Sequence, residues 1–213
     1  MQTILASGLC KVLGQRTALR NVDIAVEPAE LVVLLGANGA GKTTLLRVLA
    51  GVLRADAGTV SIFGEGSPSS RRARMHLGYA PQSTAIYDEL TVEENLAFFA
   101  RMQRVASCDV PAAIDRGLEF ADLVQRRSAR ASSLSSGMKR RLHVACAVVH
   151  QPRALLLDEP TAGVDAESCA HLVSSIDAMR RRGTAIVWST HDATPLVELG
   201  ARSMNLANGE VVS

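Results

Sequence analysis

Leu31-Val32-Val33-Leu34-Leu35-Gly36-Ala37-Asn38-Gly39-Ala40-Gly41-Lys42-Thr43-Thr44-Leu45-Leu46 is the stretch on which the fold turns. Five aliphatic residues read as a buried strand, and Lys42 to about Val52 reads as a helix that stops before Asp56-Ala57-Gly58. Between them, Gly36 to Thr43 fits G-x-x-x-x-G-K-[ST] in the strand-then-helix setting its chemistry needs. The glycines let successive backbone N–H groups curl round phosphate oxygens with no Cβ in the way, and the helix N-terminus adds a favourable dipole. Lys42 supplies a mobile charge and Thr43 a hydroxyl placed for Mg2+. The chain has only three lysines, Lys11, Lys42 and Lys139, against twenty arginines. A compact ammonium on a flexible stem suits a loop wrapped on phosphates better than a rigid planar fork.

Upstream, Ile4 to Leu13 and Ala18 to Val26 read as two exposed strands separated by Gly14-Gln15 and feeding the buried one. Downstream, strand-like runs at Thr59 to Phe63 and Leu77 to Ala80 make the order β, α, β, the start of a parallel sheet. Gly64 to Arg74 reads as a surface loop. From about Thr91 to Val149 the pattern is helical, opening with Thr91 and Glu94 in capping-box spacing and ending before Gln151-Pro152. Strands resume at Ala154 to Leu157 and, after a helix from Ala166 to Arg182, at Thr184 to Ser189. Ser203 to Ala207 and Glu210 to Val212 flank Asn208-Gly209 as a hairpin. A second acidic site ends the run Leu155-Leu156-Leu157-Asp158-Glu159. Alone this is as readily a strand entering a solvated turn. Beside a phosphate loop, Asp158 becomes the candidate for holding Mg2+ and Glu159 for polarising an attacking water.

Composition narrows the classes. With 213 residues, 47% hydrophobic and a formal charge of +2, the chain is globular, neither a disordered tail nor a polybasic nucleic-acid arm. No apolar run approaches the roughly 18 residues that span a bilayer, and the N-terminus lacks a signal-peptide layout, so the cytosol is the expected compartment. Cys10, Cys108, Cys146 and Cys169 show no metal-ligand spacing and read as packing residues. Aromatics are scarce: four Phe, two Tyr and one Trp.

Taken together, these motifs resemble the ATP-binding cassette (ABC) family over essentially the whole chain and in the family's order. Tyr79-Ala80-Pro81-Gln82 is similar to the Q-loop, Leu134-Ser135-Ser136-Gly137-Met138 to the LSGGQ signature, and Leu155 to Glu159 to Walker B with its trailing glutamate. Ala162-Gly163-Val164-Asp165 resembles the D-loop, and Ser189-Thr190-His191-Asp192 the switch-histidine segment. The resemblance implies an α/β fold, a P-loop NTPase of RecA-like core with an N-terminal antiparallel β subdomain and an inserted helical subdomain. Residues 1–213 then form a single domain, core 1–82 and 152–213, with the helical subdomain at about 83–151. It also implies ATP and Mg2+ as ligands. Lys42, Glu159 and His191 take the catalytic roles. Gly36, Ala37, Asn38, Gly39, Ala40, Gly41, Lys42, Thr43 and Thr44 bind the nucleotide, and Thr43, Gln82 and Asp158 the metal. Ser135, capping the signature helix, and Gly137 face the γ-phosphate held by a second subunit.

The same resemblance implies a pair of ATPase subunits sandwiching two ATP, transmembrane permease subunits as partners, and a peripheral place on the cytoplasmic side of the cell's inner membrane. Nucleic acid is not an expected partner. The LSSGM-Lys-Arg-Arg wording resembles exporters of the ABC-2 type and some haem exporters, and leaves the cargo open. The alternative, a soluble ABC ATPase acting on nucleic acid or ribosomes, predicts long coiled coils, twin cassettes or a stronger basic footprint.

Two departures from the family pattern stand out: the signature carries Ser136 where Gly is usual and Met138 where Gln is usual, and no aromatic stands at the adenine-stacking place. Leu13 falls where the family places an adenine-stacking aromatic, and the first ring in the chain is Phe63. Apolar cover by Leu13 forfeits stacking of order ~1 kcal/mol, so ATP and GTP are expected to compete closely. Lys139, Arg140 and Arg141 oppose the dipole of the signature helix. They either strengthen the field at the shared phosphate or face solvent and the Glu119 to Asp122 region. Tyr79, Tyr87, Phe98 and Phe99 cluster in the stretch that, by the resemblance, corresponds to the part of ABC transporters that meets the membrane partner. Phe99 shares a helix face with Val92 and Leu96 and reads as core, leaving Tyr87 and Phe98 as docking candidates.

Overall fold

The computed structural model describes residues 3–212. Strands β1 (Ile4–Leu13) and β2 (Arg16–Val26) form a hairpin across Gly14-Gln15, and β3 (Leu31–Leu35) leads into helix α1 (Lys42–Leu49). Next come β4 (Ala57–Ile62), the short α2 (Arg71–Arg74) and β5 (Leu77–Ala80), then helices α3 (Val92–Met102), α4 (Val110–Ala121) and α5 (Ser136–Val148). The chain finishes with β6 (Ala154–Asp158), α6 (Ala166–Arg181), β7 (Ala185–Ser189), β8 (Arg202–Ala207) and β9 (Glu210–Val212).

The runs without polar residues become the middle of a six-stranded sheet, order β5-β6-β7-β3-β8-β9, parallel except for β9. Both faces of this sheet are covered, which is why these strands are aliphatic throughout rather than alternating. On one face α1 and the small sheet bury Leu34, Leu46, Leu156 and Val187. On the other, α5 and α6 bury Val33, Leu155, Leu172 and Trp188. Helices α3, α4 and α5 close a third cluster around Leu96, Leu118 and Leu142. The capping box expected at α3 forms, Thr91 Oγ1 accepting from the Glu94 N–H at 3.1 Å and Glu94 Oε2 from the Thr91 N–H at 2.8 Å.

Three expectations are corrected. The strand after α1 does not enter the parallel sheet: β4 pairs antiparallel with β1, Ile4 opposite Ile62, giving a separate sheet β2-β1-β4. Its alternation of Val60 and Ile62 with polar neighbours is the half-buried pattern, and the next strand in chain order to join the parallel sheet is β5, at its far edge beside β6. Nor are β1 and β2 exposed strands, since Ile4, Leu9, Leu19, Val22 and Val26 are fully buried on one face. Helix α1 also stops at Leu49 rather than near Val52, because Gly51 turns left-handed (φ 68°) and donates to the Val48 carbonyl at 3.1 Å.

Candidate functional site

Parallel register decides what meets what. Leu34 on β3 and Asp158 on β6 both pair with Ser189 on β7, so the carboxyl ends of these strands open side by side onto one crevice. The loop from Gly36 leaves β3 there. Gly41 closes it at φ 115°, and a Cβ at this position would lie 2.6 Å from the Ala18 carbonyl oxygen, so only glycine fits. Lys42, 6% exposed, folds back over the loop, its Nζ donating to the Gly36 carbonyl at 2.6 Å.

Asp158 and Glu159 meet this lysine from the opposite wall. Thr43 Oγ1 donates to Asp158 Oδ1 at 3.2 Å, and Ser189 Oγ donates to the same oxygen at 2.7 Å. Asp158 Oδ2 is buried with no hydrogen-bond partner. An unpaired carboxylate oxygen in a residue 1% exposed is costly unless a cation or donor completes it. That oxygen, on a carboxylate whose Oδ1 is bonded to the Thr43 hydroxyl, fits Mg2+, which usually binds through one or two carboxylates and keeps its other places for phosphate oxygens and water. Among the described residues no group of three His, Cys, Asp or Glu side chains suits a metal.

Glu159 sits at φ 49°, a left-handed conformation that costs a non-glycine residue of order 1 kcal/mol or more. Its N–H is held by both the carbonyl (3.1 Å) and Oγ (3.2 Å) of Ser189, and its own carbonyl accepts from Ala162 N–H at 3.1 Å. This strained turn aims the carboxylate back at the crevice. Oε1 lies 3.6 Å from Lys42 Nζ and Oε2 lies 3.1 Å from His191 Nδ1. Ser189 therefore organises both acids, a part that sequence spacing does not reveal, since it depends on the β6–β7 register.

The crevice, about 330 Å³, is lined by the phosphate loop through Thr44 together with Gln82, Glu159, Leu13 and Arg16. Asn38, Gln82, Glu159 and His191 line a second lobe of it. A larger cavity of about 590 Å³ between α4, α5 and α6 holds none of these groups, so size alone does not locate the chemistry. Of the candidate residues, Ser135 and Gly137 do not reach the crevice. Ser135 caps α5, accepting from the Met138 N–H at 3.2 Å, and faces solvent. Gly137 packs on the start of α6, where a side chain would strike Ser168 and Asp165.

The basic run after the signature meets the expected pairing with the Glu119 to Asp122 region at Arg141, whereas Lys139 and Arg140 find other partners. Lys139 pairs with Asp88 (2.7 Å), and buried Arg141 binds the Ala121 carbonyl (2.8 Å) and Asp122 (3.1 Å). Arg140 donates to the Gln82 carbonyl at 2.8 Å. One turn on, His143 accepts from Ala85 N–H through Nδ1 (3.1 Å) and bonds the Pro81 carbonyl through Nε2 (3.0 Å), which assigns the proton to Nε2. The segment around Gln82 is thus strapped to α5, and burial lowers the His143 pKa to about 4. Tyr87 and Phe98 come together edge to face, centroids 4.8 Å apart, and are 49% and 39% exposed, while Phe99 packs on the helical cluster. Asn95, buried, holds Tyr87 by accepting from its N–H (2.8 Å) and donating to its carbonyl (3.0 Å).

No described helix is long and apolar enough to cross a membrane. The family model described as ABC transporter matches residues 19–162. The chain is 40% identical over 182 residues to Nod factor export ATP-binding protein I of Paraburkholderia xenovorans, covering 85% of this chain and 60% of that protein. It is 28% identical over 209 residues to linearmycin resistance ATP-binding protein LnrL of Bacillus subtilis, covering 98% of this chain and 67% of that protein. The chain thus spans about 60% of the length of the Nod factor export relatives. Among solved structures, an ATP binding subunit of an ABC transporter superposes with a TM-score of 0.88 at 27% identity, over 99% of this chain and 88% of that one. A dimeric ATP-binding cassette in a post-hydrolysis state with ADP and Pi also gives 0.88, over 99% of this chain and 97% of that one; at 22% identity it supports the fold alone. The family match spans the phosphate loop, the signature and the Asp158-Glu159 pair, and the chain belongs to the ABC transporter family of ATP-binding cassettes.

Proposed function

We propose that the chain binds ATP in the crevice, hydrolyses it, and powers an exporter through separate transmembrane subunits. The observation that carries the reading is the strained Glu159, poised between Lys42 and His191 at the mouth of the phosphate loop. The backbone of Gly36 to Thr44 cradles the phosphates and Lys42 swings from the Gly36 carbonyl to the β- and γ-oxygens. Glu159, oriented by His191, accepts a proton from the attacking water, and His191 steadies the γ-phosphate. Thr43, Gln82 and Asp158 would hold Mg2+, which neutralises charge on the β- and γ-oxygens.

Ser135 and Gly137, turned away from their own crevice, are assigned to the nucleotide of a second subunit. Residues 83–151, with their own hydrophobic cluster, are read as the helical subdomain that presents Tyr87 and Phe98 to the permease. The relatives' names, Nod factor export and linearmycin resistance, support export without naming this chain's cargo, and a peripheral place on the cytoplasmic face of the membrane is part of the same proposal. Glu159→Gln should retain ATP binding, accumulate as an ATP-bound dimer, and lose turnover by about 100-fold or more. Brisk hydrolysis by that variant would remove the role given to Glu159.

A further inference from the structure

The crevice that takes a nucleotide has no aromatic wall. All seven rings are accounted for elsewhere: Phe63 stands edge-on to His76 under Arg153, Tyr79 packs on the core, and Tyr87, Phe98 and Phe99 form the surface cluster. Phe120 lines the cavity beside α4, and Trp188 is buried in β7. What stands at the mouth, besides Leu13, is Arg16. The two are paired across the Gly14-Gln15 turn.

Arg16 is fixed there without a carboxylate partner among the described residues. Its Nη2 donates to the Gly39 carbonyl, latching the hairpin tip to the phosphate loop. A Cβ built on Gly39 would lie 3.1 Å from both Nη1 and Nη2 and 3.6 Å from Cζ. Equal distances to the amino nitrogens, with the central carbon farther away, mean that the amino edge of the guanidinium meets Gly39. Both flat faces of the plane are left clear of that contact. A delocalised planar cation stacks on π-systems as a ring does, and is more weakly hydrated than an ammonium.

We propose that Arg16 is the base platform of this cassette: its guanidinium plane stacks on the purine, in place of an aromatic side chain, with Leu13 covering the base beside it. The inference rests on the nucleotide reading of the crevice. Stacking tolerates any purine, so Arg16 raises affinity for adenine and guanine nucleotides alike. It also requires glycine at position 39, where a side chain would push the guanidinium away.

Calorimetric titration of the full chain with ADP, GDP and pyrophosphate, each with Mg2+, separates base from phosphate contacts without turnover. Arg16→Ala should weaken ADP and GDP about 10-fold while leaving pyrophosphate unchanged, the size of one lost stacking contact. Arg16→Lys, which keeps the charge but not the plane, should bind as poorly as Arg16→Ala. Adding Leu13→Tyr to Arg16→Ala should recover the loss for both nucleotides. An equal loss of pyrophosphate, wild-type binding by Arg16→Lys, or undiminished ADP binding by Arg16→Ala would each overturn the proposal while leaving the nucleotide reading in place. A wild-type chain that binds neither ADP nor pyrophosphate would overturn both.

Discussion

His143 carries a stability signature that can be worked from its surroundings. Its ring is 3% exposed, accepts from Ala85 N–H, donates to the Pro81 carbonyl, and faces the guanidinium of Arg140. Burial is the main cause of a folded-state pKa near 4, with Arg140 adding to it and the Pro81 bond opposing it. An unfolded histidine takes up its proton near pH 6.5. Below that value the unfolded chain binds a proton that the native chain refuses, so stability falls as pH drops from about 6.5 towards 4. For one such group the loss between pH 8 and pH 5 amounts to about 2 kcal/mol. His143→Gln keeps an acceptor for Ala85 and a donor for Pro81 but does not titrate. Urea unfolding of wild type and variant at pH 8 and pH 5 isolates the effect. His150, half-buried and likewise held near 4 by desolvation, contributes a slope that both proteins share and that cancels in the difference. The variant should lose about 2 kcal/mol less than wild type over this interval. Equal losses in the two proteins would show that His143 is not kept neutral by the strap, and with it would fail the reading that α5 grips the segment around Gln82.

Ser189→Ala removes the donor to Asp158 and one acceptor of the Glu159 N–H, so it should cost about 1–3 kcal/mol in thermal or urea unfolding and lower kcat more than nucleotide affinity. Wild-type turnover would contradict the organising role. Gly41→Ala forces a Cβ to 2.6 Å from the Ala18 carbonyl at φ 115° and should lose at least about 10-fold in ADP affinity; unchanged calorimetric binding would sink that account. Tyr87→Ala with Phe98→Ala, together removing the exposed ring pair, should abolish recovery with a co-expressed transmembrane partner while the folded chain melts within a few degrees of wild type. Undiminished recovery in membranes would move the docking surface elsewhere.

Local chemistry made the phosphate loop and the acid pair readable, because each needs particular residue types a few positions apart. The capping box at Thr91 and the cap at Ser135 were readable for the same reason: a hydroxyl answers a backbone N–H three residues on. What escaped depends on pairing between segments distant in sequence. β4 pairs with β1, Ile62 opposite Ile4, rather than joining the parallel sheet, and only the alternation in Val60 and Ile62 hinted at it. Ser189 reaches Asp158 across 31 residues because two parallel strands align them, and His143 grips Pro81 across 62. Arg16 shows the same limit most directly. As a sequence position it was one arginine among twenty, in a β-hairpin read as exposed. Its significance depends on Leu13 pairing with it across the turn and on the hairpin tip reaching Gly39, so the absence of a ring upstream of the phosphate loop identified a missing stacker but not its substitute.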